Sequence, residues 1–187
     1  MDKMLIGIVL VVLVLILVYV ISTYNSLVQL RNRVRDQWSQ IDIQLKRRFD
    51  LIPNLVETVK GYASHEEETL KGVIEARNKY QSANTPEEAL KADTELTKSI
   101  SKLFALAEAY PELKANEGFL SLQNDLKDTE DKISYARQFY SDTVLRYNNQ
   151  IQVFPANIIA NMFGFKEEKF YEAQEDEREN VKVDFSK

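Results

Sequence analysis

The chain has 187 residues, 44% of them hydrophobic and 28% charged, with a net charge of −5. With no Cys and one His, disulfides and thiolate metal sites are excluded, and zinc sites or nucleophile–base triads nearly so. Five Gly and four Pro are few for a turn-rich β fold and favour long helices, while the acidic balance gives no global pull toward nucleic acid.

After a short flank at residues 1–3, Met4 to Ile21 is unbroken apolar sequence holding fifteen Val, Ile or Leu residues. As a helix it extends about 27 Å, close to the hydrocarbon thickness of a bilayer. The spacing predicts a transmembrane anchor over 4–21, with Tyr19 and Tyr24 at the level of headgroups. A cleaved signal peptide is the rival reading. The length of the run, the Lys3–Asp2 balance and the lack of an A-x-A-like site after Ile21 count against it. Arg31, Arg33 and Arg35 follow the run, so the positive-inside bias predicts a cytoplasmic domain and an external N-terminus.

Beyond the anchor, Leu27, Leu30, Val34, Trp38, Ile41, Leu45, Phe49, Ile52, Val56 and Val59 fall in steps of three or four. That is the stripe of a long amphipathic helix. No Gly or Pro separates it from the anchor, so one continuous helix is open to it. Pro53 inside the stripe predicts a local kink. Ser64 with Glu67 reads as a capping box opening a second helix through Leu70, Val73, Ile74 and Tyr80. Thr85-Pro86-Glu87-Glu88 opens a third, which Pro111 predicts will stop near Tyr110. A fourth follows the break at Asn116-Glu117-Gly118, with its stripe running from Phe119 through Leu126, Ile133, Tyr140, Val144 and Tyr147 to Ile151. Pro155 closes it, and Ile158 to Phe165 makes a short helical cap. Residues 166–187, with eight acids against five bases, read as a flexible acidic tail. The fold class is therefore all-α: an N-terminal transmembrane helix followed by an antiparallel helical bundle over 22–165. Trp38, early in the first stripe, is expected to pack near Tyr140 or Val144 on the last.

Tyr24-Asn25-Ser26-Leu27-Val28, Trp38-Ser39-Gln40-Ile41-Asp42 and Gln44-Leu45-Lys46-Arg47-Arg48 together resemble the opening of the LemA family. The likeness continues at Asp50-Leu51-Ile52-Pro53-Asn54-Leu55-Val56 and Val59-Lys60-Gly61-Tyr62-Ala63. It resumes at Ala109-Tyr110-Pro111-Glu112-Leu113-Lys114-Ala115-Asn116, Ala136-Arg137-Gln138-Phe139-Tyr140, Tyr147-Asn148, Phe154-Pro155 and Phe163-Gly164-Phe165. Gln37 stands where Ala is expected and Gly118 where Asn is. The resemblance implies a single-pass bacterial membrane protein with a helical-bundle domain, and it implies no reaction. Relatives often accompany membrane-associated proteases, and some help shape specialised membranes.

Several constellations carry competing readings. Arg31, Arg33 and Arg35 are candidate contacts for anionic lipid. Lys46-Arg47-Arg48 is the densest basic cluster, readable as a partner or lipid contact or as a solvated face paired with Asp42 or Asp50. On an upright helix Arg47 lies about 39 Å beyond Ile21, which weakens the lipid reading. Asp50 and Asn54 flank Pro53, either as a notch that a partner reads or as groups satisfying the backbone that Pro disrupts. Tyr110, Glu112 and Asn116 form a polar turn, a recognition loop or a rigid connector. Arg47, Arg48, Asp50, Asn54, Tyr110, Glu112 and Asn116 are thus the candidate partner surface. His65-Glu66-Glu67-Glu68 lacks the second His of a zinc-peptidase motif and reads as a helix start with acids in its first turn.

The reading that follows is a membrane-tethered, non-catalytic helical adaptor or scaffold with no cofactor or metal. Its partners are the lipid bilayer, membrane proteins such as a membrane protease, or further copies of itself, and not nucleic acid. The alternatives are an oligomer that shapes the membrane directly, or an enzyme using bundle carboxylates. Glu108 and Glu130 buried together without Arg or Lys partners would favour the enzyme.

Overall fold

A computed structural model describes residues 2–83 and 85–170. Among them are six helices and no strand: α1 (Asp2–Lys60), α2 (Glu67–Gln81), α3 (Pro86–Ala107), α4 (Pro111–Lys114), α5 (Glu117–Gln152) and α6 (Ala156–Met162). Neither Gly nor Pro interrupts the sequence from Ile8 to Ile52, so nothing stops α1 between the apolar run and the amphipathic stripe. The chain divides into two compact units, Met1–Trp38 with Ala136–Lys187, and Ser39–Tyr135.

The second unit takes its core from α1 residues Ile41, Leu45, Ile52, Leu55 and Val59, joined by Val73, Leu96, Leu103, Leu113, Leu126 and Ile133, all buried. Phe104 and Phe119 meet edge-on with centroids 5.9 Å apart, the arrangement that sets the positive edge of one ring against the π face of the other. Thr85 caps α3 as its sequence predicts, accepting the Glu88 N–H at 3.2 Å.

The start of α2 is a correction. Helix α2 begins at Glu67 with Glu66 at the N-cap and no side-chain cap bond, so Ser64 forms no capping box. Backbone turns carry the link instead, with Ala63 N–H bonded to the Val59 carbonyl and Glu66 N–H to that of Ala63. The Glu66 carboxylate accepts from Tyr110 Oη at 2.9 Å. α3 ends at Ala107, three residues ahead of Tyr110, and Pro111 opens the one-turn α4.

In the first unit, Leu27 and Val34 of α1 pack with Val144, Tyr147 and Ile151 of α5, with Ala160 of α6 and with Phe165. Tyr24 meets the Phe163 ring at 4.8 Å and Trp38 meets Tyr140 at 5.9 Å, so α1 runs against the return of the chain, antiparallel as expected. Trp38 is half-buried rather than enclosed.

Residues 166–170 are not helical, yet α5 holds this segment through Lys169. Tyr147 Oη donates to the Lys166 carbonyl at 2.9 Å and Tyr140 Oη to that of Lys169 at 3.1 Å. Between them the Asn148 amide pairs with the Glu168 backbone in both directions, donating to its carbonyl at 2.8 Å and accepting its N–H at 3.0 Å. Three extended residues reach about 10 Å and seven helical residues about 10.5 Å, so this strap keeps pace with α5 as it runs back along it. Of the segment read as a flexible tail, residues 171–187 lie outside the described residues.

Candidate membrane and partner surfaces

The large apolar side chains from Met4 through Val18 are exposed, as are Tyr19 and Ile21. A water-soluble chain does not leave such a surface uncovered. This part of α1 is long and apolar enough to cross a bilayer, and it marks the chain as membrane-associated.

The three arginines that follow are not equivalent. Arg33 and Arg35 are exposed, while Arg31 is half-buried with its guanidinium 5.1 Å from the centre of the Phe165 ring. That cation–π contact commits one face of Arg31 to the fold.

The basic cluster splits in the same way. Lys46 and Arg47 are exposed. Arg48 is not a surface residue, which corrects its place on the candidate partner surface. It is 3% exposed and its Nη1 lies 2.9 Å from Asp93 Oδ1 and 2.5 Å from Glu130 Oε2. Neither Asp42 nor Asp50 is its partner. The physical reason is phase: Arg48 falls between Leu45 and Ile52, three residues after one and four before the other, on the row that α1 buries. Asp93 has the same placement on α3, between buried Ala89 and Leu96. A charge on a buried row persists only when paired.

Asp50, Pro53 and Asn54 are exposed, and α1 continues through Pro53. A proline at this position removes the N–H that would reach the Phe49 carbonyl. Neither Asp50 nor Asn54 replaces it; the Nε of Arg77 on α2 donates to that carbonyl at 3.4 Å. Phe49 also stacks on Tyr80, with centroids 3.6 Å apart and planes 11° from parallel. Tyr80 Oη donates to Asp42 at 3.1 Å. Burial, then the charge of Asp42 and this hydrogen bond, push the Tyr80 phenol well above its ordinary pKa.

The polar turn is a connector with working parts. Tyr110 ties it to Glu66, and that hydrogen bond raises the Tyr110 phenol pKa. Asn116 accepts the Phe119 N–H at 2.9 Å, capping α5, and donates to Tyr62 Oη at 2.9 Å. Glu112 is exposed. Of the two glutamates weighed as a carboxylate pair, Glu108 is exposed and bonded to Lys114, and Glu130 is half-buried and ion-paired with Arg48.

Sequence reasoning passed over Asp93, Arg77 and the strap. The first was legible from helical phase. The strap lies in sequence read as a flexible acidic tail; the available signal was that Tyr140, Tyr147 and Asn148 carry hydroxyls and an amide that need partners when buried.

The profile of the LemA family matches residues 37–185. Protein LemA of Metamycoplasma hominis is 24% identical over 158 residues, covering 84% of this chain and 72% of its own. Magnetosome protein MamQ of Magnetospirillum gryphiswaldense is 22% identical over 185 residues, covering 85% and 68%. For magnetosome protein MamQ 2 of Paramagnetospirillum magneticum the identity is 23% over 175 residues, and the coverage 80% and 64%.

Proposed function

This chain belongs to the LemA family, and from that premise we propose that it is a membrane-tethered helical adaptor, without catalysis of its own, that binds membrane proteins or further copies of itself. One observation carries the reading. Among the described residues the buried charges, Arg48 and Asp93, are paired with each other, with half-buried Glu130 beside them, while Arg47, Asp50, Asn54 and Glu112 are exposed. Chemistry needs reactive groups gathered and desolvated; recognition needs them outside. In this reading the partner is a membrane protein such as a membrane protease, and the domain lies in the cytoplasm.

The experiment is photo-crosslinking in native membranes. A crosslinking residue replaces Arg47, Asp50, Asn54 or Glu112 in the full chain, with Lys71, exposed on α2, as control. Defined adducts at the first set and none at Lys71 are expected. Adducts no denser there than at Lys71 would overturn this surface.

The likeness to magnetosome proteins favours a second reading, in which oligomers shape the membrane directly. Tubulation or vesiculation of liposomes by the purified full chain would support it, and unaltered liposomes at high protein density would exclude it.

A further inference from the structure

The short helix α6 carries apolar side chains on both sides, with Asn157 and exposed Asn161 between them. Ala156, Ile159 and Ala160 face inward and are buried, while Val153, Phe154, Ile158, Met162 and Phe163 are exposed, Phe154 at 79% and Met162 at 63%. An outward apolar group of this size is costly in water.

Its position says what covers it. Phe163 packs on Tyr24, which lies three residues past Ile21, about 4.5 Å along the helix axis. The headgroup layer is roughly 5–7 Å thick on each side. Val20, inside the apolar run, is half-buried, and Thr23 is buried, so packing on α1 begins at the edge of the span. The charge pattern agrees. No charged residue occurs from Met4 to Leu30 or from Tyr147 to Phe165 in a chain that is 28% charged. The first charges met on leaving these stretches are Arg31, Arg146 and Lys166, all basic. An uncharged surface whose nearest flanking charges are basic, with Glu167 and Glu168 only beyond Lys166, fits an interfacial helix.

We propose that α6 and the turn before it form a membrane-seated cap: Phe154, Ile158, Met162 and Phe163 enter the headgroup–acyl boundary of the leaflet from which α1 emerges. The proposal rests on the reading of Met4–Ile21 as a membrane span.

The test uses the full chain in vesicles of phosphatidylcholine and phosphatidylglycerol, with Trp38→Phe as background and one new Trp at a time. Ile158→Trp and Met162→Trp report on the cap, Val12→Trp on the span, and Ile74→Trp, at an exposed position on α2, on water. Circular dichroism checks that each variant keeps its helicity. Lipids brominated near the top of the acyl chain should cut emission from Ile158→Trp and Met162→Trp by about half, with a blue shift, and leave Ile74→Trp unchanged, while lipids brominated near the chain end should quench Val12→Trp, which lies about 13.5 Å inside Ile21. Quenching of Val12→Trp alone, with both cap reporters open to acrylamide, would overturn the cap and leave the span standing. Blue-shifted cap reporters that brominated lipid does not quench would mean that a second copy covers the face, which also overturns it. An unquenched Val12→Trp would overturn the span and the cap together.

Discussion

Arg48 shows how a single side chain acts when it cannot reach water. Its partner Asp93 is 0% exposed, so removing the guanidinium leaves a carboxylate buried without its main counter-charge. Arg48→Met is expected to destabilise the domain by about 3–5 kcal/mol, and Arg48→Met with Asp93→Leu to recover much of the loss. Denaturant unfolding of the full chain in detergent checks both, and additive losses would refute the pairing. Tyr80 gives a pH signature. Because its folded pKa is raised above the unfolded value, its contribution is complete below about pH 10 and is lost as pH rises beyond that toward the folded value. Tyr80→Phe should therefore flatten the alkaline loss of stability, measured by thermal unfolding between pH 9 and pH 11, in a range about one unit either side of the free phenol. An identical pH profile for the variant would contradict this. Both residues were visible in the sequence as letters, and only helical phase shows that Arg48 turns inward. No local pattern shows that Phe49 takes Tyr80 as its stacking partner, because the two are 31 positions apart.

At the level of elements, the three- and four-residue stripe predicted the buried side of α1 well: Leu27, Val34, Ile41, Leu45, Phe49, Ile52, Val56 and Val59 are all buried. It served less well where the chain leaves regular structure, since a capping box is a local preference that the packing of Ala63 and the Glu66–Tyr110 bond override. Helix α1 tolerates Pro53 because another element supplies a donor. Arg77→Ala should thus cost about 1 kcal/mol in the native background and less in Pro53→Ala, where the Phe49 carbonyl regains its own helical partner. A double-mutant cycle on chemical unfolding reads this coupling, and a zero interaction energy would remove Arg77 from the role. The strap makes a separate prediction. Asn148 is 6% exposed and holds the Glu168 backbone by two bonds, so Asn148→Leu should speed amide exchange at Glu168 by about tenfold or more, with the α5 amides near Val144 little changed. Equal acceleration along both would mean that the strap is not a separable unit. Its docking was illegible because charge-rich sequence is ordinarily solvated, and here the backbone of the segment is what is recognised.

For the whole molecule, the adaptor reading places the domain in the cytoplasm, and that topology is open to test. A phosphatase fused after Lys187 should be inactive in cells while a fluorescent protein at the same place is bright, since Arg31, Arg33 and Arg35 bias that side to the cytoplasm. An active phosphatase would reverse the assignment. The unbroken passage of α1 from the apolar run into the packed stripe carries a further consequence. A flexible linker would let the folded part of the first unit swivel and bob above the bilayer, whereas a helix converts residue count into azimuth and altitude. One residue inserted after Ile21 turns the packed face by about 100° and lifts it by about 1.5 Å. Seven restore the bearing to within about 20° yet raise the face by about 10.5 Å, more than the depth of the headgroup layer. Heading and height can therefore be varied separately by counting alanines, and a surface that works only at one height will fail at seven although it points the right way.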